Sequence, residues 1–468
     1  MSENKTESQL DQNPLGYEKI PKLVAKYAIP SVVAMLINAV YNIVDQIFLG
    51  HGVGFLGNTA TNVALPFVTL SLAVSLLIGV GCSSYINLSL GRGRQEEASK
   101  AFCSSFILAL VCGFGIAALG LIFLKPMAYL FGATESSLKY SMQYMAVIAL
   151  GAPFNMPAIL LNNTIRADGA PTYAMISIST GAVLNCILDP LFIFVFRWGV
   201  LGAALATIIG QIVSFFLSFA YVKKFKTIEI KKEYFTLKNK GLKIVLHQGT
   251  SNFINQMSIV LVQVVMNNSL RRWGAESIYG SDICLAALGV VMKVNNILIS
   301  AINGIAIGQQ SIVGYNYGAG KYKRAFAAYR FSAICASVIA VVGWGIFMLF
   351  PEGVVSIFGQ EDALYNEFAS MCVSIFLAVI FLAGFQITTS NMFQAIGKPN
   401  KSAVLTLLRQ PVIVVPLILV LPRFFGVKGL LYAGPLTDVI SAGFAVVFLA
   451  FEIKDLNKKI AESEAASK

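Results

Sequence analysis

The sequence predicts an all-α membrane protein with twelve transmembrane helices in two homologous six-helix lobes. Hydrophobic residues make up 56% of the 468 residues and charged residues only 12%, whereas a soluble domain has about 25% charged residues. Apolar runs recur along the whole chain, and a helix needs about 20 apolar residues to cross a bilayer core. No polar stretch is long enough for a separate soluble domain, so the chain is expected to lie almost wholly in the membrane.

Glycine-containing motifs recur in the same order about 227 positions apart. The paired positions are Gly81 with Gly308, Gly91-x-Gly93 with Gly318-x-Gly320, Phe131-Gly132 with Phe358-Gly359, Gly199-Val200-x-Gly202 with Gly426-Val427-x-Gly429 and, one position further apart, Ala167-x-Gly169-x-Pro171 with Ala395-x-Gly397-x-Pro399. Such internal repeats are typical of secondary transporters. The sequence therefore predicts a duplicated bundle.

The apolar runs give the predicted helices in chain order. The first six lie near residues 26–49, 62–89, 99–124, 137–162, 172–196 and 200–222. The second six lie near residues 245–271, 284–314, 326–350, 364–393, 402–422 and 427–451. Prolines within or beside these runs, such as Pro30, Pro190 and Pro411, each remove a backbone donor, so we expect several bent helices.

The distribution of Lys and Arg predicts the orientation of the helices. Most of the 35 basic residues lie in the tails and in the connections after even-numbered helices. Only seven lie on the other side: Lys125, Lys139, Arg197, Arg271, Arg272, Arg423 and Lys428. Because basic residues remain on the cytoplasmic side, both termini are expected to be cytoplasmic in a plasma-membrane protein. Six helices per lobe is an even number, so a pseudo-two-fold axis along the membrane normal should relate the lobes.

A basic connection separates the predicted lobes. The N-lobe is expected at residues 1–222, the linker at 223–243 and the C-lobe at 244–468. The linker holds eight lysines, which one could interpret as a nucleic-acid or acidic-lipid site. A positive-inside loop explains these lysines and the net charge of +12 better, so no nucleic-acid partner is expected.

The sequence offers no motif for an enzyme, a metal site or a cofactor site. The seven cysteines show no metal-binding spacing, and the two histidines, His51 and His247, lack a neighbouring acidic partner. Neither a phosphate-binding loop nor a G-x-S-x-G or H-E-x-x-H motif is present. We therefore expect a protein of the lipid bilayer that is not an enzyme and needs no cofactor or metal.

A few ionisable residues lie within the predicted helices, where they are energetically costly and usually retained for function. Asp45 lies in the first helix, and Asp189 in the fifth, one turn after Asn185. Burial and a nearby like charge both disfavour ionisation, so two such carboxyls are expected to exchange protons. The alternative is a structural role, in which both acids bond to broken helix segments or hydroxyls. Pro190 should make the fifth helix deformable at this point.

The second half carries a different set of charges: Lys293, Arg409 and Asp438 in the eighth, eleventh and twelfth predicted helices. A functional role and mutual structural pairing are equally open for these three residues. The two lobes are thus chemically unequal.

The chain resembles the multidrug and toxic compound extrusion (MATE) family over essentially its whole length, with the MepA-like bacterial branch nearest. The matching motifs are Asn42-Ile43-Val44-Asp45 with Phe48-Leu49-Gly50, Gly91-x-Gly93, Arg166-Ala167-x-Gly169-x-Pro171, Asn185-x-x-x-Asp189-Pro190 and Trp198-Gly199-Val200-x-Gly202-Ala203-Ala204-x-Ala206-Thr207. The resemblance implies that Asp45, Asn185, Asp189 and Thr207 couple cation binding to drug release. The seventh helix offers Asn255 and Gln256 but no acid, and the tenth also lacks one, which favours coupling through the N-lobe.

The resemblance also implies a mechanism, namely export of amphipathic, drug-like organic cations by alternating-access antiport. Protons are the favoured coupling ion, sodium is the alternative, and a monomer is expected. Candidate residues of the substrate cavity are Met35, Tyr41, Phe154, Met156, Met257, Met292, Lys293 and Arg409. The apolar ones suit ordinary packing equally well.

Three alternatives to drug export remain. A flippase for a lipid-linked precursor would share the duplicated bundle but should show more basic residues towards the interface between the lobes, and Lys293 and Arg409 keep it open. An intramembrane enzyme would need a nucleophile and its catalytic partners, or a set of metal ligands, that meet at one point. Isolated aspartates do not supply such a set. A channel would show steady conductance without antiport.

Overall fold

The structure, a computed structural model, describes residues 13–356 and 363–466, and these residues form helices joined by short turns. The helices of the N-lobe are α1 (Ile20–Val53), α2 (Phe55–Gly91), α3 (Gln95–Ile122), α4 (Glu135–Ala167), α5 (Pro171–Pro190) and α6 (Gly199–Ala220). Those of the C-lobe are α7 (Lys240–Ala275), α8 (Gly280–Gly318), α9 (Tyr322–Leu349), α10 in two pieces (Ala363–Phe376 and Ala383–Ala395), α11 in two pieces (Pro399–Leu407 and Ile413–Val420) and α12 (Val427–Ala466). Each predicted apolar run therefore corresponds to one helix, and the predicted fold class is confirmed.

Helix α7 is the least apolar of the twelve. Among the described residues, ten helices are long and apolar enough to cross a membrane, and the two pieces of α10, bent by 43°, make an eleventh candidate. The 36 residues of α7 would extend about 54 Å at 1.5 Å per residue, but they include Gln248, Asn252 and Gln256. Because α7 packs closely on α2 and Gln248 is buried, part of this polar surface lies within protein rather than in lipid.

Both described chain ends lie at the same end of the bundle, which we call the terminal side. The Leu15 carbonyl, just before α1, accepts a hydrogen bond from Asn316 Nδ2 at the end of α8 (2.9 Å). Lys459 Nζ, late in α12, donates to the hydroxyl of Tyr317 (2.8 Å). The other end of the bundle is called the opposite side. Since α1 and α7 both begin on the terminal side, the two lobes run in the same sense.

The repeated glycines have the same backbone conformation in both lobes. Gly93 after α2 and Gly320 after α8 each have φ of 72°, in the left-handed region that favours glycine. Gly169 and Gly397, which precede α5 and α11, have φ of 97° and 78°. These helix ends explain why the motif recurs. The Phe358-Gly359 part of another predicted pair lies outside the described residues.

Proline produces local changes in helix geometry, although not at every position. Helix α1 continues through Pro30 without a break. A π-helical turn, Leu191–Val195, directly follows Pro190, and a second, Leu408–Val412, contains Pro411. Proline lacks the backbone N–H that an α-helix needs, so the wider π-helical turn forms where the i→i−4 hydrogen bonds are interrupted. The fifth helix of each lobe is thereby widened.

The lobes meet backbone to backbone on the terminal side. A Cβ atom added to Gly249 of α7 would lie 1.8 Å from the Leu77 carbonyl oxygen of α2. A Cβ on Gly304 of α8 would lie 2.4 Å from Val32 Cα of α1. Only glycine permits these approaches. We call the contacts at these four residues the terminal seal.

Hydrogen bonds between the lobes accompany the terminal seal. Ser84 Oγ of α2 donates to the Gln394 carbonyl of α10 (2.9 Å). Arg324 Nε of α9 donates to the Leu15 carbonyl (3.2 Å), so the segment before α1 reaches the C-lobe. The lobes are thus joined firmly on the terminal side.

The linker between the lobes packs along the terminal side of the N-lobe. The Asp168 carboxylate at the end of α4 accepts hydrogen bonds from Lys226 N (3.0 Å), Thr227 N (2.8 Å) and the Tyr221 hydroxyl (3.0 Å). Asp168 is only 4% exposed, so these donors take the place of water around a buried charge. The boundaries at residues 222 and 244 stay predictions.

Candidate cation-coupling site

Two acidic side chains from α1 and α5 meet in the interior of the N-lobe. The carboxyls of Asp45 and Asp189 are within hydrogen-bonding range of each other. Asp189 is completely buried, and Oδ1 of Asp45 is a buried atom without a hydrogen-bond partner among the described residues. Two carboxylates at this separation repel each other, so the arrangement suits a shared proton or a bound cation.

Asn185 connects Asp189 to α6. In the amide orientation that satisfies both of its ends, Asn185 donates to Asp189 Oδ2 at 3.1 Å and accepts from the Thr207 hydroxyl at 3.3 Å. Asn185 precedes Asp189 by one helical turn, which puts the two side chains on one face of α5. The structure thus brings all four predicted coupling residues into one cluster.

The backbone of α5 changes form directly beside the cluster. Pro190 follows Asp189, and the π-helical turn Leu191–Val195 begins at the next residue. The connection to α6 then contains Arg197 with φ of 58° and Gly199 with φ of 56°. π-helical turns often occur at functional sites, because they re-aim side chains and loosen the helix locally. The Asp189 carboxyl is therefore carried by a helix whose regular hydrogen-bond pattern ends at the next residue.

Two tyrosines flank the carboxyls. The phenol of Tyr41 on α1 lies near enough to both acids to interact with them electrostatically, and so does that of Tyr144 on α4. Tyr41 was predicted to line the substrate cavity. Tyr144 was not predicted at all, and the only available signal was a tyrosine hydroxyl in an apolar run, which needs a polar partner when buried.

The charges of the C-lobe form a different arrangement. Arg409 Nε on the π-helical turn of α11 lies 3.2 Å from Asp438 Oδ1 on α12. The backbone carbonyl of Asp438 also accepts a hydrogen bond from Gln386 Nε2 (2.6 Å). Lys293 on α8 has no ion-pair partner within the described part of the chain. The structure therefore pairs Arg409 with Asp438 and leaves Lys293 apart.

The other predicted cavity residues have different environments. Met156 is fully buried in the hydrophobic core, so it packs the core instead of lining a cavity. Phe154 packs against Phe215, with ring centroids 5.8 Å apart. Met292 is 46% exposed, and Met35 and Met257 are half-buried. The prediction for Met156 fails because a methionine on α4 satisfies packing as well as binding.

Comparison with known proteins identifies the family. The MatE family model matches residues 30–191 and residues 253–420, once in each lobe. The multidrug export protein MepA of Staphylococcus saprophyticus is 24% identical over 456 residues, which cover 95% of this chain and 97% of that protein. MepA of Staphylococcus aureus is 25% identical over 463 residues, with the same coverage of each chain.

Solved structures show the same fold. A crystal structure of MATE in complex with MaD3S superposes with a TM-score of 0.88 at 25% identity, covering 95% of this chain and 98% of that chain. An outward-facing multidrug resistance MATE transporter superposes with a TM-score of 0.88 at 24% identity, covering 96% of this chain and 98% of that one. The family model spans most of the chain, and the chain therefore belongs to the MatE family of multidrug and toxic compound extrusion transporters.

Proposed function

We propose that this protein exports amphipathic organic cations across the plasma membrane in exchange for protons that bind between Asp45 and Asp189. The observation that carries the proposal is the contact of these two carboxyls in the interior of the N-lobe. In such surroundings two adjacent negative charges are unfavourable, so the pair favours a bound proton or cation. The names of the MepA relatives support multidrug export as the transport function.

The closed terminal side supports one half of the transport cycle. Because the terminal seal joins the lobes on the terminal side, the proposed cycle has the substrate leave towards the opposite side in this state. If the termini are cytoplasmic, as the distribution of basic residues favours, this state faces outward and receives protons from outside. Proton binding then neutralises one carboxyl, and the substrate leaves. The return step requires the seal to part and the proton to be released to the cytoplasm.

The N-lobe cluster favours coupling through a local change in α5. Protonation would change the hydrogen bonds of Asp189 with Asn185 and Asp45. The π-helical turn after Pro190 gives α5 room to respond, because its hydrogen bonds are already irregular. Substrate and proton need not touch each other, since linkage requires only that they favour different conformations.

Transport in proteoliposomes under separately imposed gradients tests the choice of ion. We expect export of a fluorescent organic cation to follow an inward proton gradient in sodium-free buffer. An inward sodium gradient at equal pH on both sides should give no export. Strict dependence on sodium at fixed pH would overturn proton coupling and make Asp45, Asn185, Asp189 and Thr207 oxygen ligands of a hard cation.

The flippase alternative loses part of its support in this structure. It depended on Lys293 and Arg409 as free basic groups facing the interface between the lobes. The Arg409 side chain is paired with Asp438, which leaves only Lys293 of these two residues to hold a pyrophosphate. Export of organic cations therefore explains the arrangement of charges better.

Accessibility labelling tests the orientation. In a variant without native cysteines, Lys231→Cys in the linker should react with a membrane-impermeant maleimide only after the cells are opened. Gly54→Cys, between α1 and α2, should react in intact cells. The reverse pattern would place the termini outside and invert the direction of the cycle.

A further inference from the structure

A cavity with apolar and basic walls opens between the ends of α7 and α11 on the opposite side of the C-lobe. Its volume is about 680 Å³, and it lies apart from the N-lobe cluster. The walls come from Val265, Asn268, Arg272 and Trp273 of α7, with Leu419 at the end of α11 and Arg423 in the turn that follows. Nothing in the export cycle described above uses these residues.

The charge of this cavity is positive. Arg272 and Arg423 both line it, and none of its lining residues is acidic. Neither guanidinium forms an ion pair with any residue that the structure describes. Arg272 lies over the ring of Trp273, 5.5 Å from the ring centroid. Two planar guanidinium groups around one space suit the bidentate recognition of a phosphate or carboxylate.

The walls of the cavity are also partly apolar. Val265 and Leu419 lie on the side of the cavity towards the membrane interior, and Trp273 and Arg423 lie near the helix ends. Tryptophan is enriched at the level of lipid headgroups, and arginine is favoured there beside phosphates. This order of apolar and basic walls matches an acyl chain followed by an anionic headgroup.

We propose that this cavity binds the phosphate of a phospholipid headgroup, with Arg272 and Arg423 holding the phosphate oxygens. Asn268 supplies an additional polar group, and the apolar walls receive the upper part of an acyl chain. The site goes beyond the proposed export function and does not depend on which side of the membrane is cytoplasmic, because both leaflets contain phospholipids.

Binding to the purified protein in detergent tests the site. Dihexanoyl phosphatidylglycerol is titrated, and tryptophan fluorescence and native mass spectrometry report binding. The double variant Arg272→Gln/Arg423→Gln should lose at least about tenfold in affinity, because it removes both charge-assisted hydrogen-bond donors to the phosphate. Arg271→Gln removes a neighbouring arginine that does not line the cavity, and it should bind as the wild type does.

Two further measurements separate the possible outcomes. Inorganic phosphate that binds as tightly as the lipid would overturn the lipid assignment and leave a site for a free anion. Unchanged lipid affinity in the double variant, with a normal gel-filtration profile, would overturn the site itself. Trp273→Phe keeps both arginines and should retain binding by native mass spectrometry, and a loss of binding in it would overturn the assignment to the two arginines. Asp189→Asn should bind the lipid normally, so a failure of proton coupling would not affect this result.

Discussion

The two lobes repeat one backbone but place opposite kinds of charge pairs in it. In the N-lobe, Asp45 and Asp189 bring two like charges together, and their interaction changes with every proton or cation that arrives. In the C-lobe, Arg409 and Asp438 neutralise each other at 3.2 Å. A like-charged pair responds to an ion, whereas a salt bridge holds its geometry. Under the proposed function, the N-lobe pair binds the exchangeable ion and the C-lobe pair is a fixed support.

The largest expected effect tests the N-lobe pair. Asp189→Asn keeps the shape and hydrogen bonding of the side chain but cannot exchange a proton. Gradient-driven export in proteoliposomes should fall to the rate of empty liposomes, while expression and gel filtration remain normal. Asp282→Asn, an exposed acid at the start of α8, is the matched control and should transport as the wild type does. Full export by Asp189→Asn would remove the N-lobe from the coupling mechanism.

The second prediction tests the C-lobe pair in the same way. Asp438→Asn leaves Arg409 without its partner, and breaking a fully buried pair costs about 3–5 kcal/mol. Because the side chains of Arg409 and Asp438 are still 23% and 12% exposed, we expect a smaller loss of about 2 kcal/mol. The melting temperature in detergent should fall, and export per folded molecule should persist. A variant with normal stability but no coupling would show that the C-lobe pair also takes part in ion exchange.

The double variant Arg409→Gln/Asp438→Asn sharpens this test. Removing both charges leaves no unpaired ion, so part of the stability lost in Asp438→Asn should return. No recovery would indicate that the stability depends on another partner of Arg409.

The third prediction compares how the lobes are anchored on the terminal side. Asp168 holds the linker through backbone amides, whereas in the C-lobe Glu452 accepts from Lys398 (2.6 Å) and Lys401 (2.7 Å). Asp168→Ala leaves buried donors unpaired, at about 1–3 kcal/mol. Limited trypsin digestion should cut the linker faster in this variant. Glu229→Ala, an exposed linker acid, is the control, and equal cutting rates in all three proteins would contradict the anchoring role.

The smallest effect concerns Thr207. Thr207→Val removes the hydroxyl that orients Asn185, which is worth about 1 kcal/mol. Export should slow about fivefold, the rate equivalent of that energy, while the fold stays intact. Thr207→Ser keeps the hydroxyl and should restore the rate. If the Thr207→Val variant exports at the wild-type rate, Asn185 is held in place by Asp189 alone.

Much of the fold follows from the sequence because its signals are local. The length of an apolar run shows directly whether it can cross the bilayer as a helix. A turn with positive φ requires glycine wherever it recurs, as at Gly93 and Gly320. The N-lobe cluster could also be predicted, since two isolated acids in apolar helices have few possible partners. Helix α7 could be predicted because residues 245–271 still form an apolar run despite the polar residues within it.

The remaining features depend on contacts between distant parts of the chain. Lys293 and Arg409 look equally suited to pair with Asp438 in the sequence, and only the packing of α11 against α12 selects Arg409. Tyr144 approaches the carboxyls because α4 packs against α2 and α6, which periodicity does not encode. Pro190 predicts a change in α5 but not that the change is a π-helical turn.

The terminal seal has a consequence for how the lobes part. Its closest contacts join backbone to backbone at Gly249 and Gly304, inside a hydrophobic core that side chains of both lobes share. Beside it, Asn87 Oδ1, Gln248 Oε1 and Gln310 Nε2 are buried without hydrogen-bond partners among the described residues. Each such group is unfavourable by about 1–3 kcal/mol, and hydration during opening removes this penalty. Hydration of these groups thus offsets part of the loss of the contacts when the lobes part.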